Sequence, residues 1–214
     1  MQKLKFDLHV HTEYSDGIGS VREILLEAYR KGLNGIAITD HNTTIALREV
    51  EKYSSKLGLM VIPGLELKTD AGHILALGVN VNLKDKTRLI YEDAIDWIRN
   101  LGGITIIAHP AIEVNKMNKW IIKKPDAIEA FNSNYPFKFI LRRGWKIINR
   151  IRVPITAGSD AHNPKCIGNA YTIIEVNELS IEEILKAIKL GRTKVFGKLS
   201  PIENRMRVVL GYLN

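Results

Sequence analysis

The sequence predicts an α/β protein whose mainly parallel sheet closes into a barrel. Three observations carry this. Strand-like and helix-like patterns alternate from end to end, the rhythm of right-handed βαβ units. Histidine and carboxylate motifs stand at or just beyond the ends of many apolar runs, and a closed barrel brings such ends to one mouth. No glycine-rich nucleotide fingerprint follows the first strand, as an open dinucleotide-binding sheet would require.

The elements follow in order. Apolar, β-branched runs read as strands over 4–10, 35–40, 59–66, 73–79, 103–108, 127–131, 153–158 and 170–176. The first helix opens on a capping box, Ser20 with Glu23. It places Val21, Ile24, Leu25 and Ala28 on one face before Gly32 ends it. Residues 42–57 and 88–101 carry helical patterns too. The strands at 59–66 and 73–79 flank a short turn and are expected to form a local hairpin. Further on, Lys138, Arg142, Lys146 and Arg150 recur every four residues as one helical stripe. Phe137, Leu141, Trp145 and Ile148 lie on a neighbouring face suited to packing inward. Ser180 and Glu183 repeat the capping box before Ile184, Leu185 and Ile188. Residues 199–214 read as a basic tail packing on the barrel, and 1–214 as a single domain.

The 214 residues, 45% hydrophobic, suit one domain with a full-sized core. No apolar run reaches the roughly 18–20 residues of a membrane span, and the start goes directly into a strand with no signal-peptide pattern. The single cysteine, Cys166, excludes an internal disulfide framework. The expectation is a cytoplasmic protein without membrane association. Cys166 follows His162 by four residues, so it reads either as a metal ligand or as a buried inert thiol. Net charge is +8. Residues 115–152 hold ten Lys or Arg against Asp126 and Glu129. Such an excess either steers an anionic partner or is a solvated lysine-rich surface.

All six histidines fall in short motifs with metal-ligand character. His9-Val10-His11 puts two imidazoles on one face of a strand, because strand side chains alternate. Asp160-Ala161-His162 repeats that spacing. Asp16, His41, Glu66, His73 and His109 complete the candidates. Each has a plain alternative: Asp16 as a helix cap or Asx turn, Glu66 as a solvated strand end, His73 as a turn residue, His109 as a satisfied core histidine. Asp7 and Asp40 read as carboxylates that orient imidazoles.

These motifs together resemble the PHP (polymerase and histidinol phosphatase) domain family. The matching stretches are DLHVHTEYSDG (7–17), GIAITDHNT (35–43), VIPGLE (61–66), GHILALG (72–78), IIAHP (106–110) and ITAGSDAH (155–162). The resemblance implies an irregular TIM-like (β/α)7 barrel with three divalent metal ions at its mouth. It assigns His9, His11, Glu66 and Asp160 to one ion, with Glu66 bridging to a second held by His73 and His109. Asp16, His41 and His162 hold the third. Aspartate at position 16 is similar to the nucleotide-phosphatase branch, where other branches carry histidine. Imidazoles and carboxylates without thiolate suit Zn²⁺, Mn²⁺ or Fe²⁺.

The implied activity is phosphoester hydrolysis by metal-activated hydroxide, with Asp40, Glu66 and His109 as catalytic residues. Asn132 and Ser133 are expected to contact substrate, and Arg142 or Arg143 to hold a substrate phosphate through paired hydrogen bonds. The substrate is expected to be a phosphomonoester, a short nucleotide or a nucleic-acid end. Two alternatives stand beside this reading: a noncatalytic RNA-binding barrel subunit and a metal-dependent amidohydrolase. Nine ligand candidates on one chain disfavour the first. Glu66 with His73 fits a phosphoesterase better than the second.

Overall fold

Strand β1 (Gln2–Val10) lies inside a nine-stranded sheet and sets the plan of the barrel. The structure, a computed structural model, describes residues 1–83 and 89–206. In chain order β1 is followed by α1 (Val21–Arg30), β2 (Gly35–Ile38), α2 (Leu47–Val50), α3 (Ser54–Leu57), β3 (Met60–Thr69), β4 (Gly72–Leu77) and α4 (Tyr91–Asn100). Then come β5 (Ile104–Ile107), α5 (Met117–Ile122), β6 (Ala127–Asn132), α6 (Lys138–Ile151), β7 (Ile155–Gly158), β8 (Ala170–Val176), α7 (Ile181–Lys189) and β9 (Thr193–Gly197). The sheet order is β7-β6-β5-β4-β3-β2-β1-β8-β9. Strands β1, β2 and β3 pair in parallel, as do β5, β6 and β7. β4 joins the two sets by antiparallel pairing with both β3 and β5, the expected hairpin.

The curl brings β7 back against β1 and β8, so the barrel is nearly closed. Among the described residues, main-chain pairing across the seam is a bridge between Val10 and Ala161. Below it, Thr172 Oγ1 accepts the Ala157 N–H at 2.8 Å and donates to the Ala157 carbonyl at 2.9 Å. Thr193 Oγ1 donates to the Ile155 carbonyl at 2.7 Å. Asp7, fully buried, accepts the amides of Ser159 and Gly168, each at 2.8 Å. Burial pushes its carboxyl up to about 6 against the pull of those amides.

Apolar and polar halves of the barrel are divided along its axis. Leu4, Phe6, Ile62, Leu75, Leu77, Ile104 and Val176 form an inner cluster with Ile184, Leu185 and Ile188 of α7, which seals the bottom. Each such fully buried aliphatic contributes about 1.5–3 kcal/mol. Outside, α4, α5 and α6 pack on one part of the sheet through Tyr91, Ile95, Ile98, Trp120, Ile147 and Ile151. α1 packs on another through Val21, Ile24, Leu25 and Ala28, the stripe read from the sequence. Ser20 and Glu23 close their capping box at the start of α1. At α7, Ser180 accepts the Glu183 amide.

Several expectations are corrected. Residues 42–57 form two short helices rather than one, because Thr43 and Thr44 bond the side chains of Asn82 and Asn80 and hold a loop. Strand β9 and helix α5 have no counterpart in the sequence reading. Trp145 does not pack inward: it is 41% exposed, and α6 buries Gly144, Ile147, Ile148 and Ile151 instead. The first residue of the helical pattern at 88–101 and the segment 207–214 of the tail lie outside the described residues. Before that segment, the Ser200 amide donates to the Ser133 carbonyl at 2.8 Å. Among the described residues no helix is long and apolar enough to cross a membrane.

Candidate metal centre

Two irregularities in strand pairing aim the site. Low on β1, Leu4, Phe6 and Leu8 belong to the inner apolar cluster. The β1–β2 register then shifts between Asp7 and Val10. Above the shift, His9 and His11 enter the mouth. The β6–β7 register shifts between Glu129 and Phe131. Glu129 and Asn132, three positions apart, therefore meet on one side, with Asn132 Nδ2 donating to Glu129 Oε2 at 2.9 Å. Simple alternation would send them to opposite faces.

Close approach of β7 completes the arrangement. A Cβ on Gly158 would fall 2.4 Å from His9 Cβ and 2.9 Å from Glu129 Oε1, so only glycine lets this strand pass beneath His9. Just beyond the strand ends, Asp160 and His109 have φ of 54° and 30°. Left-handed backbone at non-glycine residues is costly and concentrates at functional sites.

Glu66 stands at the centre. Its Oε2 lies 3.3 Å from His9 Nε2, 3.1 Å from His11 Nε2 and 3.5 Å from His41 Nδ1. Its Oε1 lies 2.8 Å from His73 Nδ1 and 3.1 Å from His109 Nε2. One carboxylate thus faces five imidazoles, with each oxygen turned to a different set. Asp160 Oδ1 is 3.4 Å from both His9 Nε2 and His11 Nε2. Asp16 Oδ2 is 3.0 Å from His162 Nε2 and 3.5 Å from His41 Nε2.

Among the described residues, three groups have donor atoms close enough together, within 4.8 Å, to surround an ion: His9, His11 and Asp160; Glu66, His73 and His109; and His11, Asp16, His41 and His162. The first is wholly buried. The third is the most open, with the Asp16 side chain 50% exposed. All nine expected ligands meet in these groups. His11 also reaches the third group, because its Nδ1 lies 3.4 Å from Asp16 Oδ1.

The electrostatics are those of a cation site. Burial lowers the proton affinity of His9, but Asp160, Glu129 and Glu66 outweigh it and hold the imidazole well above its ordinary range. His11 is likewise pushed up to about 10, Asp160 and Glu66 overcoming its burial. Burial opposes ionisation of Glu66 and Asp160, yet the surrounding imidazoles, His41 foremost at Glu66 and His9 at Asp160, hold both below the usual carboxylate range. A divalent ion supplies the same positive charge with the imidazoles neutral. His11 Nε2 and Asp160 Oδ1 are both buried and have no hydrogen-bond partner among the described residues. Two such atoms, 3.4 Å apart, fit co-ligands of one ion better than partners of each other. The residues present fit divalent metals, with only nitrogen and oxygen donors.

The supporting shell differs from expectation. Among the described residues, no hydrogen bond or ion pair joins Asp40 to an imidazole. Its oxygens accept the Thr12 amide at 2.7 Å, the Thr12 hydroxyl at 2.6 Å and the Ser15 hydroxyl at 2.6 Å. It shapes the loop that carries Asp16. Asp7 likewise serves backbone amides. The residue that orients an imidazole is Glu129, which sequence reasoning missed. Its Oε1 lies 3.2 Å from His9 Nδ1, and its Oε2 accepts the His109 amide at 2.7 Å. A lone acid inside the apolar run Ala127–Phe131 was the available signal.

Asn132 faces the cluster, but Glu129, Asp160 and the Asn134 amide occupy its polar atoms. Ser133 is fully buried, its hydroxyl donating to the Ser159 carbonyl at 2.6 Å. Both side chains are buried and already hydrogen-bonded. Arg142 and Arg143 stand on the exposed face of α6, outside the groups around Glu66. Cys166 is buried in the cluster with Val21 and Ile24, apart from every candidate ligand group.

Replacing Glu129 with Gln is expected to weaken metal binding about 10–100-fold. An amide must present NH₂ either to His9 Nδ1 or to the His109 and Asn132 donors. Metal titration of the activity measures this, and unchanged metal affinity would show that Glu129 does not support the ligands.

Comparison with known families closes the identification. The PHP domain model matches residues 7–143, and the PHP-associated model matches 141–193. The chain belongs to the PHP domain family. It is similar to an uncharacterised protein of Methanocaldococcus jannaschii, 33% identical over 143 residues, covering 61% of this chain and 82% of that one. A 5′-3′ exoribonuclease of Haemophilus influenzae is 38% identical over 66 residues, 31% of this chain and 24% of that enzyme. Among solved structures, a two-domain protein of Bacteroides vulgatus, described as containing a predicted PHP-like metal-dependent phosphoesterase, shares the fold. Its TM-score is 0.74 at 22% identity, over 92% of this chain and 65% of that one.

Proposed function

We propose that this chain is a metal-dependent hydrolase of phosphoric esters, acting on a nucleotide or on the end of a short nucleic acid. The observation that carries the reading is the Glu66 carboxylate, set between two groups of imidazoles with one oxygen turned to each. His9, His11 and Asp160, with Glu66, would hold one ion. Glu66, His73 and His109 would hold a second, and Asp16, His41 and His162 a third. Bound divalent ions lower the pKa of water and neutralise charge on phosphoryl oxygens. Glu129 fixes which nitrogen of His9 faces Glu66 and Asp160. The exposed Asp16 and the half-buried His41 mark the side from which a phosphate enters.

Among the described residues we read no covalent nucleophile at this centre. The Ser133 hydroxyl is bonded to a carbonyl and the Ser15 hydroxyl to Asp40. Cys166 lies in an apolar cluster. The proposed attacking group is water. The relative named as an exoribonuclease and the net charge of +8 support a nucleotide or nucleic-acid substrate.

The test is a phosphate-release screen over nucleotides, sugar phosphates and short RNA after chelation and re-addition of Mn²⁺ or Zn²⁺. The expected result is phosphate-ester cleavage that disappears on chelation and returns with metal. Ammonia release from amide substrates would favour an amidohydrolase. RNA binding without turnover under any metal would favour a noncatalytic subunit.

A further inference from the structure

A groove of about 510 Å³ lies between the start of α6 and the chain after β9, lined by Phe137, Lys138, Lys198, Ile202 and Arg205 among others. Its volume is that of a small-ligand site. It adjoins the metal centre through short links. Asn132 bonds Asp160, and the Asn134 side chain donates to the Asp160 carbonyl. Arg205 donates to the carbonyls of Tyr135 and Pro136. Asn204 accepts from Asn163, the neighbour of His162. One wall of the groove is thus anchored one residue from a candidate ligand.

Two features of the lining point to a ligand. Lys138, Lys198 and Arg205 have no carboxylate within ion-pair distance among the described residues, and the lining holds no acid. At α5, by contrast, Lys119 pairs with Asp70 and Glu92, and Lys123 with Asp96. At the rim stands an exposed aromatic pair. Phe137 and Phe139 are 50% and 66% exposed, and their rings stack 5.5 Å apart at 8°. Cations without a carboxylate partner beside an exposed phenyl ring are what a phosphate and a base require together.

We propose that this groove binds the nucleotide adjacent to the scissile phosphate in a single-stranded nucleic acid. Lys138, Lys198 and Arg205 take its phosphate and Phe137 takes its base. The inference rests on the proposed phosphoesterase reading and makes it specific: the preferred substrate is an oligonucleotide end rather than a lone monoester. It also moves the phosphate-binding role from Arg142 and Arg143 to cations that line a cavity beside the mouth.

The experiment compares wild type with Phe137→Ala and with the pair Lys138→Ala and Lys198→Ala. The substrates are a 5′-phosphorylated RNA tetramer and a nucleoside 5′-monophosphate, each assayed across salt concentrations. The expected result is a KM for the tetramer raised about tenfold in each variant, with kcat unchanged and monophosphate turnover unaffected. The lysine pair should also lower the salt dependence of log KM by about 0.7 for each phosphate that is no longer neutralised. Equal effects on both substrates, or none on either, would overturn the groove assignment. Anisotropy of a labelled tetramer on the chelated protein separates the two readings. Binding that the lysine pair abolishes, without turnover under any metal, keeps the groove and sinks the phosphoesterase. Turnover of monophosphate with no salt-sensitive tetramer binding does the reverse.

Discussion

Glu66→Gln is expected to cut turnover by about a thousandfold or more, the equivalent of several kcal/mol of transition-state stabilisation. The substitution preserves volume, so the buried centre stays packed. It removes a charge that faces five imidazoles. It also forces an asymmetry. A glutamine can turn its oxygen toward His73 and His109 or toward His9 and His11, and the other set then meets an NH₂ that cannot bind a cation. The variant should therefore carry fewer ions per chain as well as turn over slowly. kcat at saturating metal, elemental analysis and a thermal melt check the three parts. Near-wild-type turnover with a full metal complement would show that Glu66 bridges nothing.

Asp160→Asn is the second large effect, a loss of about 10²–10³-fold in kcat with little change in the melt. Asn is the right probe because Asp160 has φ of 54°, a backbone that Asn tolerates and alanine does not. If the amide oxygen keeps the bond from Asn132 Nδ2, its NH₂ takes the place of Oδ1, which lies 3.4 Å from His9 and His11 and 3.6 Å from His162. A donor then stands where a ligand oxygen is needed. Unaltered activity with metal supplied would take Asp160 out of the site. Asp160→Ala would confound lost charge with backbone strain and decides less.

The fold and the ligand set are legible in the sequence for one reason. Most candidate ligands sit at or just beyond the end of an apolar run, and the chain's local signals fix where those runs stop; Asp16 in its turn and His73 at the start of β4 are the exceptions. Ser20 with Glu23 starts α1, and Gly32 and Gly72 take φ of 67° and 89° at a helix end and a hairpin turn. What stays hidden depends on long-range pairing. The register shifts at Asp7–Val10 and Glu129–Phe131 reverse the side-chain parity, and periodicity in one strand cannot reveal that. In sequence Glu129 consequently stands out only as a charge. Asp40 resembles an orienter because it precedes His41, yet its partners, Thr12 and Ser15, are more than twenty residues away in sequence.

On α6 the inward face is hard to read because Gly144 lies on it. A glycine adds no apolar mark, so the pattern points to Trp145 as the core residue. The short, mixed run of β9 (Thr193–Gly197) has little periodicity, and pairing with β8 rather than its own composition makes it a strand.

The central claim is that Glu66 joins two metal positions within a polynuclear centre. The most direct measurement is the metal content of the protein by elemental analysis, after reconstitution with Mn²⁺ or Zn²⁺ and removal of loosely held ions, in wild type and in Glu66→Gln. The expected result is up to three ions per chain in wild type, at least two of them retained, and a lower number in the variant. At most one ion per chain in wild type would contradict it.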